Sequence, residues 1–272
     1  MAWDGAFRWA VDLARGASTR LMLGISTSPG GQDSAGRISP AAIAAGRGDD
    51  WLSALRDELA GFGNPVYIRL MGEMNNCHNA YAPLHCSGAS RGSSHSTEAF
   101  VAAWRRTAVI LRGRNASGIN AKLAAVGQPP LQAAAPPLRP APLAMVWTPM
   151  TGGSPMVSSL DPARFWPGTR WVDWVGTSFY SKYPRFDWLS TYYSRFATRY
   201  RKPFALAEWA MWDNGDPGFV RDVMGWVASH PRTQMHVYNQ GKDPDGPFRL
   251  KQFPSAASVL RHGLASRRFS VL

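Results

Sequence analysis

A chain of 272 residues with 45% apolar and 12% aromatic side chains can bury one large core or at most two modest ones. The net charge of +12 is mostly arginine, since only five of the 30 basic residues are lysine, and the charges are scattered over every segment. That pattern argues against a nucleic-acid binder, which gathers its basic residues on one face, and no run reaches the roughly 18–20 consecutive apolar residues of a membrane helix.

From the amino terminus, "MAWDGAFRWAVDLARG" reads as an amphipathic helix with Trp3, Phe7, Ala10, Val11 and Ala14 on one face, and not as a signal peptide. Six short apolar runs then read as strands: "LMLGIS" (21–26), "VYIRLM" (66–71), "LAMVW" (143–147), "WVDWVGTS" (171–178), "FALAE" (204–208) and "MHVYN" (235–239). Helical patterns lie between them. Asp49 reads as the cap of a helix with Trp51, Leu52, Leu55, Leu59 and Phe62 on one face. Ser96 caps a second helix, and Asp161-Pro162 and Asp216-Pro217 look like helix starts with proline in the first turn. Residues 127–144, "GQPPLQAAAPPLRPAPLA", break the rhythm and read as a surface connection, because proline cannot donate within a helix or central strand.

Strands apolar on both faces and separated by helices predict a parallel sheet of βα units in a single domain spanning 1–272. The expected fold class is α/β, a (β/α)8 barrel or an open doubly wound sheet. For the barrel, with six strands counted, the first two βα units would be missing at the amino terminus, which would leave open sheet edges.

Cys77 and Cys86 lie nine positions apart in "CHNAYAPLHC". The spacing suits a local disulfide and hence an oxidising compartment, extracellular or cell-envelope. Free thiols, or a zinc site shared with His78 and His85, are the alternatives.

In parallel βα folds reactive groups collect at the carboxyl ends of the strands. Glu73 follows "VYIRLMG" and Glu208 ends "KPFALA". A buried strand-end carboxylate must be paired or hydrogen-bonded, because leaving it unsatisfied costs several kcal/mol. Arg69, four residues before Glu73, could be a purely structural partner. Two such acids beside Trp147, Tyr180, Trp209, Trp212 and Tyr238 suggest instead a carbohydrate site, where flat apolar rings meet polar groups.

The segments "PVYIRLMGEMN", "AMVWTP", "FWPGTRWVDWVGTSFYS" and "KPFALAEWA" resemble, in order, strands four to seven of glycoside hydrolase family 26. The resemblance runs from about residue 21 to residue 240. It implies a (β/α)8 glycosidase of the large retaining clan, endo-acting on β-mannan, mixed-linkage β-glucan or β-1,3-xylan, with no cofactor and no metal. Carried over by position, Glu73 matches the general acid/base and Glu208 the nucleophile. Tyr180 matches a tyrosine bound to the nucleophile, Arg69 an arginine that positions the carboxylates, and Asp173 a structural aspartate. Asn75, Tyr81, Trp147, Trp209, Trp212 and Tyr238 are the further candidates for substrate contact. A retaining pair should stand about 5–5.5 Å apart.

The chain departs from the family at three places. Gly72 stands where a histidine precedes the acid and contacts substrate near the cleavage point. "NNCHNAYAPLHC" replaces an aromatic-rich continuation and leaves Tyr81 as the ring to face a sugar. "GTSFYS" lacks an acidic residue two positions before the tyrosine. These departures point to a divergent glycosidase and not a mannanase. A non-catalytic carbohydrate-binding barrel and a transglycosidase are the competing readings; no GxSxG, HExxH, P-loop or dinucleotide fingerprint supports another enzyme class.

Overall fold

A computed structural model describes residues 7–17, 20–28 and 38–265. Trp3 of the first helix lies outside them. They fall into two compact units divided between Asp173 and Trp174.

The first unit carries helices α1 (Phe7–Gly16), α2 (Pro40–Ala44), α3 (Asp49–Phe62), α4 (Thr97–Leu111) and α5 (Ala116–Ala124), and strands β1 (Leu21–Ile25), β2 (Val66–Leu70) and β3 (Leu143–Trp147). β2 pairs in parallel with β1, Leu21 opposite Val66, and with β3, Val66 opposite Leu143. Both faces of β2 are covered: Val66, Tyr67, Ile68 and Leu70 are buried, and Arg69 is half-buried. This double burial is what gives parallel strands their continuous apolar runs.

The second unit carries β4 (Trp174–Tyr180), α6 (Phe186–Tyr192), β5 (Phe204–Ala210), α7 (Pro217–Ser229), β6 (Thr233–Tyr238) and α8 (Pro254–Leu264). β5 pairs in parallel with β4 and with β6, with a register shift between Thr177 and Ser178. Every residue of β5 is buried except Glu208, which is half-buried. All six runs read from the sequence are therefore strands of an α/β fold, three in each unit.

Several boundaries differ from expectation, for local reasons. β4 starts at Trp174 because Thr169–Trp171 forms a 3-10 turn. Asp161-Pro162 opens a 3-10 turn, Pro162–Phe165, with the Asp161 carboxylate accepting from the Ala163 N–H at 2.8 Å, whereas Asp216-Pro217 does start an α-helix. Ser96 caps α4, its hydroxyl accepting from Ala99 N–H at 3.1 Å. Asp49 is not a cap. It lies inside α3 behind the left-handed Gly48, and its carboxylate turns inward to accept from Arg106 Nε at 2.8 Å and Nη2 at 2.5 Å, with both side chains essentially unexposed.

That buried pair also fixes the proline-rich connection. Arg106 donates to the carbonyls of Pro129 (2.9 Å) and Pro130 (3.1 Å), and Asp49 accepts from the Gln132 N–H (2.8 Å). Further along, Arg56 donates to Pro136 O at 2.8 Å. The connection has no regular structure from 128 to 142, yet three of its backbone carbonyls are met by buried guanidinium groups.

Candidate active site

The first unit presents Glu73 just beyond the end of β2. The chain turns sharply there: Met71 (φ 43°) and Glu73 (φ 54°) both occupy the left-handed region, which costs a non-glycine residue on the order of 1–3 kcal/mol. The surroundings hold the turn in place. Glu73 N–H donates to Thr148 O at 2.7 Å and Met71 N–H to Ile25 O at 2.7 Å. The Tyr81 hydroxyl donates to Gly72 O at 2.6 Å, and Asn79 Nδ2 donates to Glu73 O at 3.0 Å. The Glu73 carboxylate accepts from Asn76 Nδ2, 2.9 Å from Oε2.

Arg69 Nε donates to Thr148 Oγ1 at 3.2 Å, and its guanidinium folds against the glycine that precedes the acid. A Cβ on Gly72 would lie 2.7 Å from Arg69 Nε and 2.8 Å from Cζ. Glycine at 72 and this arginine position therefore go together. Gly72→His, which installs the residue that the resemblance leads one to expect there, is expected to push Arg69 off Thr148 and, in any glycosidase activity of the chain, to cost about tenfold to a hundredfold, the range that small misplacements at a site produce. A Gly72→His variant as active as wild type would show that the close approach has no role.

Three expected sugar contacts in this unit, Asn75, Tyr81 and Trp147, are buried. Asn75 is fully buried and spends its amide on the loop after β3: Nδ2 approaches the carbonyls of Met150 (3.1 Å), Gly152 (3.1 Å) and Leu160 (3.2 Å), while Oδ1 accepts from Met150 N–H (2.8 Å). Tyr81, only 4% exposed, braces the Gly72 carbonyl and does not offer a ring face. Trp147 is likewise fully buried, with its Nε1 donating to Phe165 O at 3.0 Å and its ring packed edge-on against Trp166; it is a core residue, not a platform. Asp173 holds the middle of β3, accepting from Met145 N–H at 2.6 Å and pairing with Arg112.

Cys77 and Cys86 are joined by a disulfide, with Cα atoms 4.9 Å apart. Arg91 ties the loop together by donating to the carbonyls of Cys77 (3.2 Å) and Leu84 (3.3 Å). His78 is exposed, with Nδ1 3.7 Å from Cys86 Sγ. Sulfurs bonded to each other are not thiolates, so this Cys-His-Cys cluster is not a zinc ligand set in the disulfide state. Replacing both cysteines with serine removes a cross-link across nine positions, and a loss of about 2–3 kcal/mol is expected from urea unfolding.

The second unit presents Glu208 from β5. The Tyr180 hydroxyl donates a short hydrogen bond to Glu208 Oε1. Asn239, directly after β6, donates from Nδ2 to the same oxygen at 3.1 Å and to Tyr180 Oη at 3.1 Å. Its Oδ1 accepts from Gly241 N–H at 2.8 Å, which fixes which end of the amide faces the carboxylate.

Rings gather beside this carboxylate. Trp212 lies 5.3 Å from Tyr180, 5.2 Å from Phe248 and 6.2 Å from the exposed Tyr183, with Lys182 Nζ 4.8 Å from its centroid. Its backbone is held by Ser181 Oγ, which accepts from Trp212 N–H at 2.8 Å. Trp209, in contrast, is fully buried between Phe219, His236 and Tyr238, so it too is corrected from platform to core. The Tyr238 hydroxyl accepts from Met211 N–H at 3.3 Å, and burial pushes its phenol above the ordinary range, so Tyr238 acts as a neutral brace. Asn76, Asn239 and Phe248 went unread in the sequence. Asn239 carried one available signal, a polar residue at the carboxyl end of a parallel strand.

No family model and no curated protein matches the chain. Solved structures match it in fold. The catalytic domain of the GH26 endo-β-1,4-mannanase of Bacillus sp. JAMB-750 aligns with a TM-score of 0.59 at 13% identity, over 95% of this chain and 68% of that one. The GH26 β-mannanase BoMan26A of Bacteroides ovatus aligns at 0.57 and 14%, over 96% and 72%. A Cellulomonas fimi endo-β-1,4-mannanase aligns at 0.61 and 14%, over 98% of this chain and 58% of that enzyme. The chain thus shares the fold of family 26 glycoside hydrolases at low identity, in keeping with the family resemblance of its strand segments. Among the described residues no helix is long and apolar enough to cross a membrane.

Proposed function

We propose that the chain is a retaining, endo-acting glycoside hydrolase of a β-linked polysaccharide, working outside the cytoplasm, with both units belonging to one catalytic domain. The observation that carries this reading is Glu208: the one residue of a buried strand that is not buried, with two donors, Tyr180 and Asn239, aimed at one carboxylate oxygen. A nucleophile needs that arrangement. Fixed donors orient the carboxylate towards the anomeric carbon without a metal or cofactor having to supply charge.

In the first step Glu208 attacks the anomeric carbon, the C1–O bond breaks, and Glu73 gives its proton to the departing oxygen. In the second, Glu73 takes a proton from water, the water oxygen attacks C1, and the ester bond to Glu208 breaks. Arg69 and Tyr180 position the two carboxylates. Trp212, with Tyr183 and Phe248, replaces Trp147, Trp209 and Tyr81 as the surface for sugar rings.

Incubation with soluble β-mannan, mixed-linkage β-glucan and β-1,3-xylan, with Glu73→Gln as the blank, tests the reading. Oligosaccharides formed initially as the β-anomer, by proton NMR, are expected from at least one of the three. Product of the α-anomer would overturn retention, and no product from any would leave a carbohydrate-binding protein.

A further inference from the structure

A general acid must hold its proton on the oxygen that faces the leaving group, and a free carboxyl group can carry it on either. Glu73 sits in a loop, so β2 cannot fix its side chain as β5 fixes Glu208. The contact that reaches its carboxyl group is Asn76 Nδ2, 2.9 Å from Oε2.

Asn76 is itself oriented at its other end. Its Oδ1 accepts from His78 N–H at 3.1 Å, so the amide nitrogen, and not the oxygen, must face Glu73. The backbone is fixed as well: Asn76 N–H donates to Glu73 O at 2.9 Å, residue 76 forms a parallel bridge with Ser154, and Cys77 N–H donates to Ser154 O at 2.8 Å. The neighbouring Asn75, which has the more obvious place in the motif, is occupied with the loop after β3.

We infer that Asn76 is a positioning residue that selects the proton-bearing oxygen of Glu73, an inference that rests on the acid/base reading above. Of the two oxygens of a protonated carboxyl group the carbonyl oxygen is the stronger acceptor, so an N–H pointed at Oε2 favours the form with its carbonyl there. In that form Oε1 carries the O–H that is transferred. The O–H bond at Oε1 breaks as the glycosidic oxygen takes the proton. The resulting carboxylate keeps the Asn76 bond at Oε2, and Oε1 is the oxygen that later takes the proton from water.

The test uses the leaving-group dependence of kcat/KM, which reports the step in which the acid protonates. β-Mannobiosides and β-cellobiosides carrying 2,4-dinitrophenyl, which departs without protonation, or phenyl, which does not, are compared for wild type, Glu73→Ala, Asn76→Ala and the isosteric Asn76→Asp. Asn76→Ala is expected to stay within about twofold of wild type on the dinitrophenyl substrates and to fall by about tenfold to a hundredfold on the phenyl ones, part of the 10²–10⁴ that general acid catalysis supplies. Asn76→Asp, which keeps the shape and lacks the donor, should show the same split, and it serves alone if the alanine variant does not fold. Equal slowing of both substrates by both variants, or no slowing, would overturn the inference. Absence of the split in Glu73→Ala would instead sink the acid/base reading, and with it any role for Asn76 in catalysis.

Discussion

Glu208→Ala is expected to lower polysaccharide hydrolysis by on the order of 10⁴-fold or more, because no other group in the proposed mechanism can form the glycosyl-enzyme bond. The fold should survive the change. Tyr180 and Asn239 remain bonded to each other at 3.1 Å when the carboxylate is gone, and the half-buried position of Glu208 means that no closed cavity opens in β5. An unchanged unfolding midpoint with lost activity is therefore the expected pair of results. Tyr180→Phe removes one of the two donors and should cost about 10²-fold, comparable to loss of a single preorganised donor in other sites. If Glu208→Ala keeps more than a tenth of wild-type activity, Glu208 is not the nucleophile.

Asp49→Ala should be strongly destabilising to the first unit. It leaves the Arg106 guanidinium buried and charged without its carboxylate, and breaking a buried pair from one side costs about 3–5 kcal/mol. The loss extends beyond the pair, since Asp49 also accepts from Gln132 N–H and Arg106 holds the Pro129 and Pro130 carbonyls. At about 2–4 °C per kcal/mol for a chain of this size, the midpoint should fall by roughly 6–20 °C. A urea-unfolding difference below about 1 kcal/mol would mean that water reaches Arg106 and that the pair is not sealed as its burial indicates.

What the sequence made legible follows from which physical constraints act locally. The six strands were readable because parallel strands buried on both faces leave unbroken apolar runs, and "FALAE" could be little else. Glu73, Glu208 and Tyr180 stood out because a polar residue at the end of such a run is costly unless it has partners. The tryptophans misled for a related reason. A ring at a strand end looks the same in sequence whether it points into the core, as Trp147 and Trp209 do, or outward, as the half-buried Trp212 does. Asp49 looked like a cap because a cap and a buried ion-pair partner are the same residue type at the same place; only Arg106, 57 positions away, distinguishes them. Asn76 was hidden beside Asn75, since the direction in which each amide turns depends on His78 and on the loop after β3, not on the motif.

The proline-rich connection bears on how the arginine excess should be understood. Proline has a carbonyl but no N–H, so such a segment offers more acceptors than donors, and a guanidinium offers donors only. Arg56 and Arg106, each 1% exposed or less, complement that segment from inside the fold. Part of the positive charge is thus interior scaffolding and contributes little to the field that a glycan would meet at the surface. Lysine could not take its place: an ammonium is a compact point donor, whereas Arg106 reaches Asp49, Pro129 and Pro130 through one planar group. The scarcity of lysine in this chain is, at these positions, a requirement of shape.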